Sequence, residues 1–481
     1  MIKRKEPSDA LLEIDRTTAV PLHRQIYERF RTAIEQGVLG PGDRVASARN
    51  LASELGVARG TVETAYNLLA GEGYFSARGQ AGTVVSPSLP LRPPARRGPG
   101  PTEVKAVEPM LAEPVPPPPL QLGIPALDAF PRKLWARLAS RRVRATTAAD
   151  MFYGNPSGHP PLRAAIAAYL QVSRGISCHP SQVFVTGGYR ASLALISRTL
   201  LSSGDCVWVE DPGFPPTLEV LRSAGHRAVP VPVDDEGMAV ALGMRKAAKA
   251  RMAVVTPSHQ APLGVSMSLA RRLQLLAWAS QAKAWIVEDD YDGEYRYAGP
   301  PLPALKSLDG QDRVLYAGSF SKVLYPGLAL GYVVVPESLR EGFGGAVQAW
   351  SNGCPQITQA VVADFMREGH FSRHLKKMRL LYARRREMLA AALAKAFGEA
   401  VRIDLQSGGM HLIARFDTRR ASDEELARRA QLAGLNCQPL SARGTARFKD
   451  KGLLIGFTNV GSAAHAQQLA TRLRDALDRK H

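Results

Sequence analysis

The chain has 481 residues, of which 45% are hydrophobic, and this length and composition predict two or three hydrophobic cores. It has no run of about 18 apolar residues, and its first residues, Met-Ile-Lys-Arg-Lys-Glu, lack the apolar stretch of a signal peptide. We therefore expect no membrane span and a cytoplasmic location. The net charge of +19 suggests a nucleic-acid partner, but residues 1–85 contain only 11 Lys and Arg against 10 Asp and Glu. A solvated arginine-rich face on a long helix such as 373–386 explains the excess of positive charge equally well. A prediction of DNA binding therefore has to rest on motifs.

The first predicted element is a unit of three helices and a hairpin over residues 22–85. Apolar residues recur at helical spacing over 22–34, and Ser47 is suited to cap a second helix. A third helix is predicted to begin near Ala58. Two short strands around 78–82 would then form a wing. The three helices and the wing together predict a winged helix-turn-helix.

The sequence of residues 47–85 resembles that of the GntR family of bacterial transcriptional regulators. It is Ser-Ala-Arg-Asn-Leu-Ala-Ser-Glu-Leu-Gly-Val-Ala-Arg-Gly-Thr over 47–61, and the segment ends in a glycine-bearing wing. One departure is Val45-Ala46, where the family usually has Leu-Pro. The resemblance implies that the unit binds double-stranded operator DNA, and that its DNA surface includes Ser47, Arg49, Arg59, Thr61, Arg78 and Gly79.

A proline-rich segment follows, with 12 prolines in residues 87–119. Such a segment cannot bury a core and is typical of a semi-rigid, extended spacer. The predicted domains are therefore a DNA-binding domain over 1–86, a linker over 87–119 and a larger domain over 120–481.

Beyond the linker, β-branched runs alternate with helical patterns, which is typical of an α/β domain with a mostly parallel sheet and helices on both faces. The predicted strands are 206–209, 252–255, 284–287, 314–316 and 332–335. From about Gly353 the pattern becomes helix-rich, with further strands at 411–416 and 453–457, so a smaller α+β lobe is expected.

Ligands gather at the carboxyl ends of parallel strands, and here those ends carry reactive residues. Gly-Ser-Phe-Ser-Lys at 318–322 ends in a lysine among small residues, which suits a Schiff base to an aldehyde cofactor. Glu-Asp-Asp-Tyr at 288–291 offers a carboxylate that can keep a pyridine nitrogen protonated. Most lysines are surface residues, so the prediction for Lys322 depends on that carboxylate. A third strand end carries Thr-Pro-Ser-His at 256–259.

No metal site is predicted. Four cysteines are scattered along the chain without a Cys-x-x-Cys pair, which favours reduced thiols over a disulfide or zinc framework. Glu288, Asp290 and Asp292 are spaced like part of a calcium loop. The twelfth position of that loop is Gly299, which cannot supply the bidentate carboxylate.

Residues from about 122 to 457 resemble the fold-type I aminotransferases, which use pyridoxal 5′-phosphate (PLP). With the DNA-binding unit, the full chain resembles the MocR (GabR-like) subfamily of GntR transcriptional regulators. The motifs that carry the resemblance are Tyr-Gly-Asn-Pro-Ser-Gly at 153–158, Thr-Gly-Gly at 186–188, Glu-Asp-Pro-Gly-Phe at 210–214, and the segments 256–260, 288–291 and 319–322.

By position, the resemblance implies PLP as cofactor, with Lys322 as the Schiff-base lysine and Asp289 facing the pyridine nitrogen. Tyr291 would bond the ring hydroxyl, and Phe214 would stack on the ring. The phosphate would be held by the backbone amides of Tyr189 and Arg190, the hydroxyls of Ser319 and Ser321, and Tyr153 of a neighbouring subunit. The last of these implies a homodimer.

Three positions depart from the aminotransferase pattern. Ala329 stands where relatives carry a phosphate-binding arginine, and Leu454 stands where aminotransferases carry the arginine that clamps the substrate carboxylate. Ala261 replaces an asparagine that MocR relatives also lack. Arg443 or Arg447 is a candidate substitute for the missing clamp.

Three functions are consistent with these residues. The first is a PLP-dependent DNA-binding regulator that senses an amino compound, or PLP itself, and is not primarily an enzyme. The second is an active aminotransferase with an accessory DNA-binding head, and the third is a regulator whose larger domain has lost PLP and only dimerises. The retained Lys322, Asp289 and Tyr291 favour the first over the third, and the missing arginines favour it over the second. The effector, the operator and the sign of regulation stay open.

Overall fold

A computed structural model of the chain describes residues 14–18, 20–77, 82–87, 116–297, 303–350, 353–416 and 421–478. The chain divides into two compact units, 1–112 and 113–481. Most of the proline-rich linker lies outside the described residues, so the domain boundaries at 86 and 119 stay predictions. None of the helices in the described part of the chain has the length and hydrophobicity that a bilayer span requires.

The first unit is a three-helix bundle closed by a hairpin. Its elements are α1 (Leu22–Glu35), α2 (Ala48–Leu55), α3 (Arg59–Gly71), β1 (Phe75–Ala77) and β2 (Thr83–Val85). The rings of Phe30, Tyr66 and Phe75 meet edge to face, with centroids 5.1 to 5.6 Å apart. These contacts fix α1 and α3 against the hairpin, because aromatic rings favour this geometry.

The ends of α2 and α3 follow the predicted signals. The Oγ of Ser47 accepts a hydrogen bond of 3.2 Å from the backbone N–H of Asn50. Gly56 ends α2 in the left-handed conformation, with φ 60°, and α3 begins at Arg59. The winged helix-turn-helix prediction is confirmed, while the wing tip at 78–81 lies outside the described residues.

The second unit is built on an eight-stranded sheet. Its strands are β3 (Val183–Thr186), β4 (Cys206–Asp211), β5 (Arg227–Asp234), β6 (Gly237–Met238), β7 (Met252–Val255), β8 (Trp285–Asp290), β9 (Val314–Ser319) and β10 (Gly331–Val334). The order is β3-β10-β9-β8-β7-β4-β5-β6. The pairs from β9 through β8, β7 and β4 to β5 are parallel, whereas β10 and β6 run antiparallel to their neighbours. The predicted mostly parallel sheet is confirmed.

Helices cover both faces of this sheet. The helices of the second unit up to residue 397 are α4 (Arg132–Arg144), α5 (Pro160–Arg174), α6 (Tyr189–Leu200), α7 (Pro215–Ser223), α8 (Val240–Lys246), α9 (Leu269–Ala282), α10 (Arg340–Trp350), α11 (Gln356–Arg367) and α12 (His370–Phe397). Side chains of β7 alternate between two hydrophobic clusters. Met252 and Val254 join the cluster with α6, α7 and α10, and Ala253 and Val255 join the one with α9.

The smaller lobe carries a four-stranded antiparallel sheet, as the α+β pattern predicts. Its elements are β11 (Val401–Asp404), β12 (His411–Phe416), α13 (Asp423–Leu432), β13 (Gln438–Pro439), β14 (Leu453–Gly456) and α14 (Ala463–Asp478). The strand order is β11-β12-β14-β13. The start of β12 and the middle of β14 contribute residues to the wall of the cavity described next.

Candidate cofactor site and DNA-binding surface

A cavity of about 460 Å³ opens at the carboxyl ends of β8 and β9 and at the start of α6. This volume lies within the range of small-molecule sites in proteins. Of the predicted cofactor residues, those that line it are Tyr189, Arg190, Phe214, Asp289, Tyr291, Ser319, Ser321 and Lys322. The fold therefore brings together in one cavity residues that are spread over 134 positions of the sequence, from 189 to 322.

Lys322 reaches across the cavity toward the start of the second unit. Its Nζ donates a hydrogen bond of 2.9 Å to the carbonyl oxygen of Gly123. Burial lowers the pKa of Lys322, although the carboxylates of Asp292 and Asp289 act in the opposite direction. A lysine with a lowered pKa provides more of the neutral amine that attacks an aldehyde.

Asp289 is buried, with 6% of its surface exposed, and faces the same cavity as Lys322. Within the described residues its carboxyl group accepts no hydrogen bond. Burial raises its pKa well above the usual range, and the neighbouring carboxylates of Asp290 and Glu210 raise it further. A buried carboxyl group without a partner is costly, so Asp289 is suited to a cationic group that enters the cavity.

Tyr291 is held by a group of polar residues whose contact with it was not predicted from the sequence, although His259 lies in the strand-end motif at 256–259. Its hydroxyl lies 3.0 Å from Nδ1 of His259, which also lies 3.1 Å from a carboxylate oxygen of Asp292. Nε2 of the same histidine lies 3.0 Å from Oε1 of Gln406. Burial lowers the pKa of His259, but the charge and hydrogen bond of Asp292 outweigh burial and the net shift is upward. The available sequence signal was the position of this histidine four residues after β7.

The start of α6 forms a corner of the cavity that is suited to an anion. Gly188, with φ 95°, precedes the helix, and the N–H groups of Tyr189 and Arg190 lie in its first turn. Such N–H groups have no acceptor within the helix, and the helix dipole favours an anion there. Ser319 and Ser321 line the same cavity.

The residues of this corner bring little free positive charge. Ala329 lines the cavity in the left-handed conformation, with φ 49°. The guanidinium group of Arg190 is paired with the carboxylate of Glu219 at 2.8 Å, and both side chains are more than half exposed. The missing arginine at 329 is therefore not replaced by Arg190.

The position of the family's carboxylate clamp is apolar. Leu454 is 1% exposed and packs with Ile413 and Leu440, while also lining the cavity. Of the two candidate substitutes, Arg443 lines the cavity, and Arg447 is exposed and does not.

Two predicted residues lie at or beyond the rim. Phe214 is 40% exposed, and its ring centroid lies 5.8 Å from that of Tyr189. Tyr153 does not line the cavity. It is 80% exposed and follows Met151 and Phe152, which are 78% and 75% exposed.

The predicted DNA-binding residues that the structure describes lie on the surface of the first unit. Val62, Tyr66 and Leu69 bury one face of α3, which leaves Arg59 at its exposed start. Nε of Arg59 pairs with Oε1 of Glu63 at 2.7 Å. The remaining predicted residues divide into Ser47 and Arg49, which are exposed, Thr61, which is partly exposed, and Arg78 and Gly79, which lie outside the described residues.

Comparisons with known proteins agree with both units. Residues 122–473 match the family model of aminotransferase classes I and II, and residues 22–85 match that of the bacterial regulatory proteins of the gntR family. The chain is 39% identical over 459 residues to the probable rhizopine catabolism regulatory protein MocR of Rhizobium meliloti, covering 94% of this chain and 92% of the relative. It is 34% identical to the pyridoxine biosynthesis transcriptional regulator PdxR of Corynebacterium glutamicum, covering 92% of each.

The second unit also resembles a solved enzyme. It is similar to LysN, the α-aminoadipate aminotransferase of Thermus thermophilus, which was solved in complex with N-(5′-phosphopyridoxyl)-L-leucine. The TM-score is 0.67 at 27% identity, covering 74% of this chain and 91% of the enzyme.

Proposed function

The chain belongs to the MocR-type regulators of the GntR family, transcriptional regulators that join a DNA-binding domain to an aminotransferase-like domain, and on this premise we propose that it binds PLP and an amino effector in the cavity of the second unit. The observation that carries the proposal is the pair formed by Asp289 and Lys322. One is a buried carboxyl group without a hydrogen-bond partner among the described residues, and the other is a lysine with a lowered pKa in the same cavity.

The residues around the cavity fit an aldehyde cofactor that carries a ring nitrogen and a phosphate. When bound, PLP supplies an aldehyde that captures amines and a ring that withdraws electrons. Lys322 would hold the aldehyde carbon, and Asp289 would accept a hydrogen bond from the protonated ring nitrogen. The N–H groups of Tyr189 and Arg190 would bind the phosphate together with Ser319 and Ser321.

Other side chains would orient and cover the ring. His259 and Asp292 hold the Tyr291 hydroxyl at the cavity wall, from which it would donate to the ring hydroxyl. Phe214 would stack on the ring at the rim and exclude water. The amine of an effector would then compete with Lys322 for the aldehyde carbon, and the lysine would leave with a proton on Nζ.

We further propose that the protein is a homodimer that binds double-stranded operator DNA. Three large apolar residues in succession, 151–153, are at least 75% exposed, and such a patch favours burial in an interface. In the dimer, Tyr153 would reach the phosphate in the partner's cavity. Two DNA-binding units would then face paired half-sites, and an effector that changes their spacing would change the affinity for DNA.

We expect sensing to need no turnover. Leu454 offers no charge to orient a substrate carboxylate, and Ala261 removes a polar contact that aminotransferases use. An active aminotransferase is the second candidate, favoured by the retained Lys322 and Asp289. Production of a keto acid from any amino acid at more than about 1 turnover per second would contradict the sensor function and favour the active aminotransferase. The relative named as a pyridoxine biosynthesis regulator favours PLP itself as an alternative effector.

The test is a visible absorption scan of the purified protein with PLP, before and after borohydride reduction. The wild type should show a visible band, and reduction should fix the cofactor on the peptide that contains Lys322. Lys322→Ala should lose the band, whereas Lys449→Ala, an exposed lysine outside the cavity, should keep it. A wild type without the band would instead favour a larger domain that has lost PLP and only dimerises.

A further inference from the structure

The hydroxyl proton of Tyr291 can point either to His259 or into the cofactor cavity. Tyr291 lines the cavity, and its hydroxyl lies 3.0 Å from Nδ1 of His259. Burial and the carboxylates of Asp292 and Asp289 raise the pKa of Tyr291 well above its usual range, so the hydroxyl keeps its proton. An Nδ1 without a proton would accept the tyrosine proton. An Nδ1–H group would instead donate to the tyrosine oxygen and leave the proton for a ligand.

Nε2 of His259 faces an oxygen and therefore carries a proton. It lies 3.0 Å from Oε1 of Gln406, which belongs to the connection between β11 and β12 of the smaller lobe. The orientation of that amide group is fixed, because its Nε2 donates a hydrogen bond of 2.6 Å to the carbonyl oxygen of Leu263. The reverse orientation would place two oxygens, neither of which is a donor, at that distance. The amide oxygen therefore faces the histidine and accepts the proton of its Nε2–H group.

The second ring nitrogen of His259 faces a carboxylate. Nδ1 lies 3.1 Å from Oδ1 of Asp292, whose side chain is 1% exposed. A buried carboxylate needs a donor, because an unpartnered charge is costly there. Both nitrogens of the ring thus face acceptors, and a histidine that donates from both is a cation. Burial lowers the pKa of His259, but Asp292 outweighs burial, and the net upward shift agrees with this cation.

The other charged and titratable groups that face His259 from the described residues leave this assignment unchanged. From β12, the ring of His411 lies 5.9 Å away between centroids, and burial lowers its pKa to about 4, so it adds no charge. From β8, Asp290 favours the cation, although it is itself paired with Arg174 at 2.6 Å. Arg296 lines a small polar cavity together with His259, and its charge acts against the cation without reversing the net shift.

We propose that His259 is a positioning residue of the cofactor site, which donates to Asp292 and Gln406 and thereby directs the Tyr291 proton to the ring hydroxyl oxygen of the cofactor. The proposal rests on the proposed binding of PLP. It also connects the cofactor ring to the smaller lobe, because Gln406 fixes the far side of the histidine. A displacement of the β11–β12 connection would therefore change the hydrogen bond that the ring receives.

This role predicts the pH at which the lysine nitrogen that holds the cofactor loses its proton. A donor at the ring oxygen and a cation behind it both disfavour a positive charge on that nitrogen. Without the cation, the Tyr291 hydroxyl would turn to the uncompensated carboxylate of Asp292. The ring oxygen would then hold the proton of the nitrogen more tightly. The loss of one hydrogen bond to a charged group predicts a rise of about 1–2 pH units, or roughly 10- to 150-fold in proton affinity.

The experiment is a pH titration of the visible band of the full-length, PLP-loaded protein. His259→Gln retains a polar side chain without the charge and should raise the midpoint of this titration by about 1–2 pH units. The same change in a Tyr291→Phe background should have less than half of this effect, because His259 acts through the tyrosine. His226→Gln is the matched control and should leave the midpoint unchanged. His226 is buried outside the cavity, with Nδ1 3.2 Å from the carbonyl oxygen of Ser202.

Gln406→Met tests the same role with His259 in place. It removes the acceptor of Nε2–H and should raise the midpoint in the same direction by a smaller amount, and it decides the matter if His259→Gln does not retain the band. A wild type without the visible band would contradict the proposed function itself. A loaded wild type whose midpoint neither variant raises would overturn the role of His259 alone. So would an equal rise in the Tyr291→Phe background, since His259 would then act by its charge and not through the tyrosine.

Discussion

The Nζ of Lys322 donates a 2.9 Å hydrogen bond to the carbonyl oxygen of Gly123, a residue 199 positions earlier in the chain. Gly123 adopts the left-handed region with φ 67°, and a Cβ atom added to it would lie 2.7 Å from that Nζ. The absence of a side chain at this position therefore permits the observed position of the lysine.

Gly123→Ala should displace Lys322 and weaken PLP binding. The far end of a lysine moves at little cost to stability, so the loss should appear as an apparent dissociation constant for PLP raised at least about 10-fold, or 1.4 kcal/mol, in an absorbance titration. Gly175→Ala is the matched control, because Gly175 has φ 69° and its nearest contact is the Ser307 side chain at 3.6 Å. Equal PLP affinity in both variants would mean that the lysine tolerates the methyl group.

Ala329→Arg should tighten PLP binding. Ala329 lines the cavity without a charge, and Arg190 is paired with Glu219. A new charge-assisted contact to the phosphate is worth about 1.5–3 kcal/mol, which is roughly a 10- to 150-fold gain in affinity. Ala329→Gln adds length without charge and should give no such gain. An equal gain with glutamine would assign the effect to packing.

Changes at Glu63 and Arg59 should act on DNA binding in opposite directions. Arg59→Ala should weaken binding by about 1–3 kcal/mol and lower the salt dependence, and Arg49→Ala should act likewise. Glu63→Gln should strengthen binding, because it releases Arg59 from the 2.7 Å pair and removes a negative charge beside it. Exposed pairs contribute about 0–1 kcal/mol, so little stability is lost.

These DNA affinities are measured on a duplex selected from random-sequence DNA by the wild-type protein, at two salt concentrations. Glu28→Gln is the charge-matched control, since Glu28 pairs with Arg24 and Arg31 on α1. All variants should retain the PLP band. Tighter binding by the Glu28 variant as well would show that net charge, and not the release of Arg59, determines the effect.

Local signals explain what the sequence predicted correctly. Ser47 and Gly56 delimit α2 because capping and left-handed residues act within a few positions. The strands β4, β7, β8, β9 and β10 were predicted because each is a buried run of β-branched or apolar residues between polar ends. β5 was not predicted, because Pro230 and Pro232 lie within it and proline is rare in central strands. β5 lies one strand from the edge of the sheet and tolerates these two prolines there.

Contacts between residues that are far apart in the chain could not be predicted from the sequence pattern. His259 meets Gln406 across 147 positions, and no periodicity encodes that contact. Arg443 and Arg447 lie in the same connection between β13 and β14 and carry the same charge. Only the fold of that segment, fixed by the hydrogen bonds of Thr445 to Asp211, determines which arginine lines the cavity.

The carboxyl group of Glu210 should make the second unit less stable at pH 8 than at pH 5. Burial raises its pKa to about 7, although hydrogen bonds from Thr256 and Gln260 act in the opposite direction. The folded protein therefore retains a proton that the unfolded chain, with its ordinary pKa near 4.5, has released. The resulting stability is present at the acidic end of this window and is lost as pH rises from about 4.5 through 7.

Glu210→Gln should remove this part of the pH dependence, which amounts to about 2–3 kcal/mol between pH 5 and pH 8. The amide can still accept the N–H of Thr256 and donate to its hydroxyl, so the local contacts are largely preserved. All five tryptophans lie beyond residue 130, so tryptophan fluorescence in urea, without PLP, reports the unfolding of the second unit. The exposed Glu399→Gln should keep the wild-type pH dependence. If Glu210→Gln also loses stability between pH 5 and pH 8 as the wild type does, the proton resides on another group, such as Glu288, whose pKa burial also raises to about 7.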